Sequence, residues 1–537
     1  MENKKIKGWI GLALAGVLIT AGGCGKGKVS EAGKESQASA FKYSVESNLV
    51  TLDPAKLTDV PTFEVLKNIF GGLVELDEKN QPAPNVAEKW EISADQKTYT
   101  FHIRKNAKFN NGREVTAEDV KWSFDRASRK VFASPTAGTF FDDIVGFKEV
   151  NDGKTDTISG IKVLNKHTLQ MTIKQPRTYF LAKIAYHVAD ILPKGDVPFD
   201  KPISSIKEMI GTGPFKVTEF HSDHLVVMEP NEHYYGHKPT VSKVEVRIVK
   251  DPLTGISMYK TGKLDIFRVP VTELTSIKND AKYKDQLHDY PQASCFWLEM
   301  NQKVYKPFTD KRVRQAFAMA INRKVIVDEV LRGNVDLAKG ILPPGIPGYR
   351  EKVNELPYDP VKAKQLMTQA GYADTSKLPS LQLVVPAKSS AGKAAAANIV
   401  MQLRKVFSGF NISVLSPSWD AYLEKLRHKE IGFRYAGWLA DYIDPSNFLS
   451  DLFNSKSPMN HIYFSNQKFD QLCDKANGLS DLKEREKLYA EAEDILLQEG
   501  SVVPLLYPKD FWLVQKNVSG LKSNLIGFFP FNHVEMK

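Results

Sequence analysis

Cysteine is almost absent: Cys24, Cys295 and Cys473 are the only three in 537 residues. That excludes a disulfide-built scaffold and leaves redox chemistry unexpected. Cys295 lies in an apolar strand-like run and Cys473 on a helical one, so both are expected as buried thiols, with one disulfide as the alternative. Beyond the first two dozen residues no apolar run reaches the roughly 20 residues that cross a bilayer. Basic residues are in excess, with a formal net charge of +10, but they are dispersed and not interleaved with aromatics. This argues against nucleic acid and for an anionic membrane or cell-wall surface nearby. No G-x-S-x-G elbow and no H-E-x-x-H helix occurs, and "AGK" at 391–393 lacks the flanking residues of a phosphate loop. Nothing points to catalysis, so no enzyme activity and no cofactor are expected.

What is present begins at the N-terminus. Lys4, Lys5 and Lys7 precede an apolar run from Trp9 to Ala21 that ends in "AGGC", the pattern of a signal peptide over residues 1–23. Small residues directly before Cys24 resemble a lipobox, in which that cysteine is acylated and becomes the new N-terminus; Ala21 stands where leucine is usual. The alternative is ordinary cleavage nearby and a free secreted protein. Residues 24–40 are small or charged and read as a flexible tether, which places the remaining chain, with hydrophobic content of 42%, off an outer membrane face. That remainder is long enough for two to four domains.

Strands and helices are mixed along it. "TYTFHIRK" (98–105) alternates apolar and polar residues, a half-buried strand, and after an Asn111-Gly112 turn Thr116 and Asp119 open a helix. "VEVRIV", "DPLTGISMYKTG" and "KLDIF" predict a parallel βαβ unit with its helix stopped at Gly262. "FTDKRVRQAFAMAI" puts Val313, Ala316, Phe317, Ala320 and Ile321 on one helical face. "LQLVVP", a helix through Phe407 and "NISVLS" repeat the strand, helix, strand order, so the fold class is α/β with more than one domain. His221, His224, His233 and His237 have spacings a transition metal could use, but they fall in polar turns and no metal site is assigned. Phe528, Phe529 and Phe531 read as core.

A run of segments now matters together: Leu52 to Ala127, then "GTGPFKVTEF", "NEHYYGHKP", "YKTGKLDIF", "FTDKRVRQAFAMAINR", "QAGY" and "GWLADYIDPSNFL". In order and spacing the chain resembles the solute-binding lipoproteins of peptide- and nickel-type ABC importers, over nearly all of the mature sequence. The resemblance implies a periplasmic-binding-protein-like clamp: two lobes, three structural domains, mixed β-sheets. Domain I would take 41–72, 197–293 and 511–537, domain II 73–196, and domain III 294–510. It also implies an oligopeptide ligand, delivery to ABC permease subunits with their ATPases, a monomer, and a lipid anchor on the outer face of the cell membrane. Relatives of this fold carry dipeptides, nickel chelates, haem, opines or oligosaccharides, or sense peptide pheromones, and these remain alternatives.

Residue by residue, Asp441 matches an acidic position that receives a peptide's α-ammonium. A buried carboxylate needs a charge partner, and a free amine supplies one only on binding. The competing expectation is that Asp441 closes a turn with Asp444-Pro445. Gly437, Trp438 and Leu439 match the segment that pairs by main chain with an extended peptide, and Val60-Pro61 the strand on its other side. Tyr435 stands where an arginine is familiar, with Arg434 on the opposite face of the strand. Arg427 and Arg268 are therefore the candidates for a ligand carboxylate.

Overall fold

The computed structural model describes residues 40–537; the expectations for the signal peptide, Cys24 and nearly all of the tether lie outside them. Three sheet-centred bodies follow from where the apolar alternation finds partners. The first is built on a four-stranded sheet in the order Ala40–Val45, Lys243–Ile248, Leu225–Pro230, Phe215–His221. Against it lies a three-stranded sheet, Ile266–Arg268, Asp510–Val514 and Leu287–Tyr290. Phe41, Tyr43, Trp512, Phe529 and Phe531 fill the core between them. The predicted βαβ unit is corrected here. Lys243–Ile248 and Ile266–Arg268 belong to different sheets, and the parallel partner of Lys243–Ile248 is the first strand, Ala40–Val45. The intervening helix, Pro252–Lys260, is as expected and gives way to Gly262 at φ +71°.

The second body is an antiparallel sheet ordered Ala87–Ile92, Thr98–Ile103, Thr168–Thr172, Ile161–Asn165. The Thr98–Ile103 strand buries Tyr99, Phe101 and Ile103 as its alternation predicts. Helix Ala117–Ser128 packs on it behind the predicted Thr116–Asp119 capping box. Arg126 on that helix, 1% exposed, rivets this body to the first by two bonds to Asp53, at 3.2 and 2.6 Å.

The third body is a six-stranded mixed sheet: Asp336–Leu337, Val502–Tyr507, Ser294–Met300, Phe433–Leu439, Leu381–Val384, Ile412–Leu415. Its last two strands flank helix Ser390–Val406 and pair in parallel, the predicted strand, helix, strand unit. The two faces bury separate cores, one around Phe308, Phe317 and Leu403, the other around Trp297, Phe453 and Tyr489. The chain passes between the first and third bodies at residues 291–293 and again at 508–509, short crossings suited to a hinge.

Cys295 and Cys473 are both buried free thiols. In protein lacking the N-terminal segment, reductant is expected to leave the melting temperature unchanged, and neither thiol should react with a maleimide before denaturation. A fall in melting temperature with reductant would contradict this. Among the described residues no helix is long and apolar enough to cross a membrane.

Candidate ligand-binding site

The strand Phe433–Leu439 sets the geometry. On one side it pairs along its whole length with Ser294–Met300, from Ser294↔Leu439 to Met300↔Phe433. On the other, Leu381–Val384 pairs with it only at Phe433 and Arg434. Beyond that point the neighbouring chain turns away: Val385 N–H donates to Leu415 and Ala387 N–H to Pro417, while Pro386 has no N–H to give. Among the described residues the edge from Tyr435 to Leu439 is therefore unpaired, a length of about 16 Å at roughly 3.3 Å per residue. Gly437 is needed there, since a Cβ would lie 2.4 Å from the Phe296 ring.

Asp441 stands at the end of this open edge, half-buried. Asn447 organises it. The Asn447 side-chain oxygen accepts from the Asp441 N–H at 2.9 Å and from Trp438 Nε1–H at 3.0 Å. Its amide nitrogen donates to Asp441 at 3.4 Å and to Asp451 at 3.3 Å. Tyr186, from the antiparallel body, stands near enough for its hydroxyl to act on the Asp441 carboxylate. No lysine or arginine among the described residues forms an ion pair with Asp441. Burial pushes its carboxyl up to about 7, against the Asn447 bond and the Tyr186 hydroxyl, and Asp451 nearby adds to the rise. The turn that follows is closed by Asp444, whose side chain accepts from Ser446 N–H, so the competing expectation for Asp441 falls to its neighbour.

A carboxyl whose folded value is raised above 3.8 costs stability where it is ionised in both states. Below about pH 4 it is protonated folded and unfolded and contributes nothing; from there to about 7 stability falls as pH rises, then levels. Asp441→Asn removes this cost. The melting temperature of the ligand-free variant is expected to gain on the native protein between pH 4.5 and 7.5; an unchanged difference would contradict it.

Closure of the cleft is visible in side chains that cross it. Tyr442, next to Asp441 in sequence, is fully buried in the core of the antiparallel body and stacks on Tyr179 at 5.4 Å. Tyr179 also donates to Asn477 at 3.1 Å, and Arg177 donates to the Asn477 carbonyl at 2.5 Å. Arg485, 1% exposed, bonds Asp444 at 2.6 and 2.8 Å and reaches across to Thr178 Oγ1 at 2.7 Å. The residue that would hold a ligand and the residue that docks the opposite lobe are thus adjacent in the chain.

The structure brings Asp441, Trp438, Gly437 and Leu439 together, and corrects the other expectations. Val60-Pro61 is the first turn of helix Val60–Leu66, not a strand, because Asp59 caps it and proline fits an opening turn. Tyr435 is buried against Phe296, ring centroids 5.4 Å apart, while Arg434 on the other face bonds Glu299 at 2.5 Å. Arg268 is held by Glu64 at 2.8 Å and Asp510 at 3.1 Å, and its guanidinium lies 4.7 Å from the Trp512 ring. Arg427 is 69% exposed on a helix end, paired with Glu424. Neither arginine is left with a free charge for a ligand carboxylate. His221 and His224 stack on an exposed hairpin turn, and His237 stacks instead on His533. Sequence reasoning missed Asn447, Asp451 and Tyr186. The first two sit six and ten residues past Asp441 and could have been sought at helical or turn spacing; Tyr186 carries no local signal.

Two lobes hinged at two short crossings, with an open strand edge and an unpaired carboxylate between them, define a solute-binding receptor. The chain belongs to family 5 of the bacterial extracellular solute-binding proteins, whose model, described as the family's middle region, matches residues 81–460. It is 31% identical to the dipeptide-binding protein DppE of Bacillus subtilis (strain 168), over 98% of each chain. It superposes on the Escherichia coli murein tripeptide binding protein MppA with a TM-score of 0.84 at 25% identity, covering 93% of this chain and 99% of that one. An unliganded open form of MppA gives 0.70 at 24% identity, covering 93% and 98%. The two-lobed clamp is therefore the fold.

Proposed function

We propose that this protein is an extracytoplasmic receptor that captures peptides with a free N-terminus and hands them to an ABC importer. The observation that carries the reading is Asp441: a half-buried carboxylate without a cation, at the end of a strand edge about 16 Å long. An extended peptide adds to such an edge by main-chain hydrogen bonds, which read no side chains, and its α-ammonium supplies the missing charge. The names of the relatives, dipeptide and murein-tripeptide binders, fit this chemistry. Ligand bound to both lobes favours the closed arrangement, and the closed surface docks on the permease. Acylation at Cys24 would hold a monomer at the outer membrane face, and the domains of the receptor would run over 41–72 with 197–293 and 511–537, over 73–196, and over 294–510.

Mass spectrometry of small molecules released on denaturing natively purified protein tests the reading. Peptides with free N-termini are expected; a metal chelate, haem or sugar would overturn it. Binding also has a pH signature. The amine must meet an ionised Asp441, so affinity is expected to rise about 50-fold from pH 5 to pH 7, by the mass action of a carboxyl titrating near 7, and to fall again as the amine deprotonates near 8. A flat profile measured by calorimetry would exclude Asp441 as the partner.

A further inference from the structure

A second carboxylate with one oxygen in use lies close enough to Tyr186 to act on its hydroxyl, as Asp441 does. Asp59 caps helix Val60–Leu66 by accepting from the Thr62 N–H on Oδ2 at 3.2 Å. Its other oxygen, Oδ1, is buried and accepts no hydrogen bond among the described residues, and the residue as a whole is 8% exposed. Capping accounts for one acceptor atom, which serine, threonine or asparagine would supply as well. It does not account for a full negative charge withdrawn from water, nor for a second oxygen with no donor.

The position of Asp59 says what the charge could meet. Phe63, one turn along its helix, packs edge-on against His187 at 4.5 Å, and the next residue back is Tyr186, whose hydroxyl acts on Asp441. Tyr186 lies within the field of both carboxylates. The other charged groups facing Asp59 are Glu46, beyond the end of the first strand, and Lys388, on the loop after Leu381–Val384. Lys388 forms no ion pair with either acid among the described residues; its Nζ rests 3.7 Å from the Trp419 ring centroid. Arg268 is already bound by Glu64 and Asp510. Lys388 thus acts on Asp59 and Glu46 from a distance and bonds neither.

We infer that Asp59 is a second cation-receiving residue of the ligand site, and that the preferred cargo is a peptide with a free amine and a lysine or arginine among its first residues. The inference rests on the peptide reading above and narrows it. The α-ammonium pairs with Asp441 on one lobe and the basic side chain with Asp59 Oδ1 on the other. A ligand that neutralises both carboxylates also ties the two lobes together, so its charge works for closure as well as for affinity. A peptide with uncharged side chains satisfies Asp441 and leaves Asp59 as it stands.

Isothermal titration with three free-amine tetrapeptides of equal length tests this: tetra-alanine, Lys-Ala-Ala-Ala and Ala-Lys-Ala-Ala, each against the native protein and Asp59→Asn. Asparagine keeps the helix cap, and a thermal melt checks that the variant is folded. At least one lysine peptide is expected to bind the native protein about 10-fold or more tighter than tetra-alanine, as a charge-assisted contact implies. In Asp59→Asn that preference should vanish while tetra-alanine binding is unchanged. Equal affinities for all three peptides would overturn the inference, and so would a lysine preference that survives Asp59→Asn. If all three peptides bind equally well and Asp441→Asn abolishes binding of each, the peptide reading stands and the role of Asp59 falls. If no free-amine peptide binds the native protein, both fall together.

Discussion

Asp441→Asn is expected to weaken binding of a free-amine peptide by about 100-fold or more, and N-acetylation of the peptide should do the same to the native protein. Truncating one partner of a buried, hydrogen-bonded charge pair typically costs about 2–5 kcal/mol. Here the closed cleft supplies the burial, and Asn447 holds the carboxylate in place before ligand arrives. Asparagine keeps the shape and the capacity to bond Asn447, so the variant should fold and close as the native protein does. Acetylation and substitution remove opposite halves of one ion pair, so applying both should cost little more than either alone. Calorimetry on the four combinations makes that double-mutant cycle; full additivity would mean that the amine binds elsewhere.

Arg485→Met is expected to destabilise the protein by about 3–5 kcal/mol, the cost of leaving a buried carboxylate without its partner. Asp444 is 5% exposed and has both oxygens bonded by Arg485, which also donates to the Ala476 carbonyl at 3.0 Å. The same arginine crosses to Thr178, so stability and closure are mixed in this variant. Thr178→Val separates them, since it removes only the cross-lobe acceptor. Its melting temperature should be near native, while ligand affinity falls several-fold and small-angle scattering of the ligand-free protein shows a larger radius of gyration. If Thr178→Val binds and scatters like the native protein, the Arg485 contact serves the third body alone and not the closing of the lobes.

Consecutive residues carry their own local physics, and those parts of this protein could be read without coordinates. The alternation of Thr98–Ile103, the Thr116–Asp119 cap, the apolar face of Lys311–Met319 and the stop at Gly262 all depend on neighbours within a turn or two. The burial of Cys295 and Cys473 was legible for the same reason, whereas the motif around Asp441 was singled out by its resemblance to a family. What the folded chain alone settled were partnerships across long separations. The strand 40–45 pairs with 243–248, and not with the segment that a local βαβ pattern would choose, because sheet partners are set by closure of the whole chain. Arg268 looked free in its segment and is held by residues 204 positions before it and 242 after it. Tyr186 comes within the field of both Asp441 and Asp59, residues 382 positions apart in the chain, only because the chain folds back on itself. Charge pairing and burial depend on distance in space, so no spacing along the chain announces them.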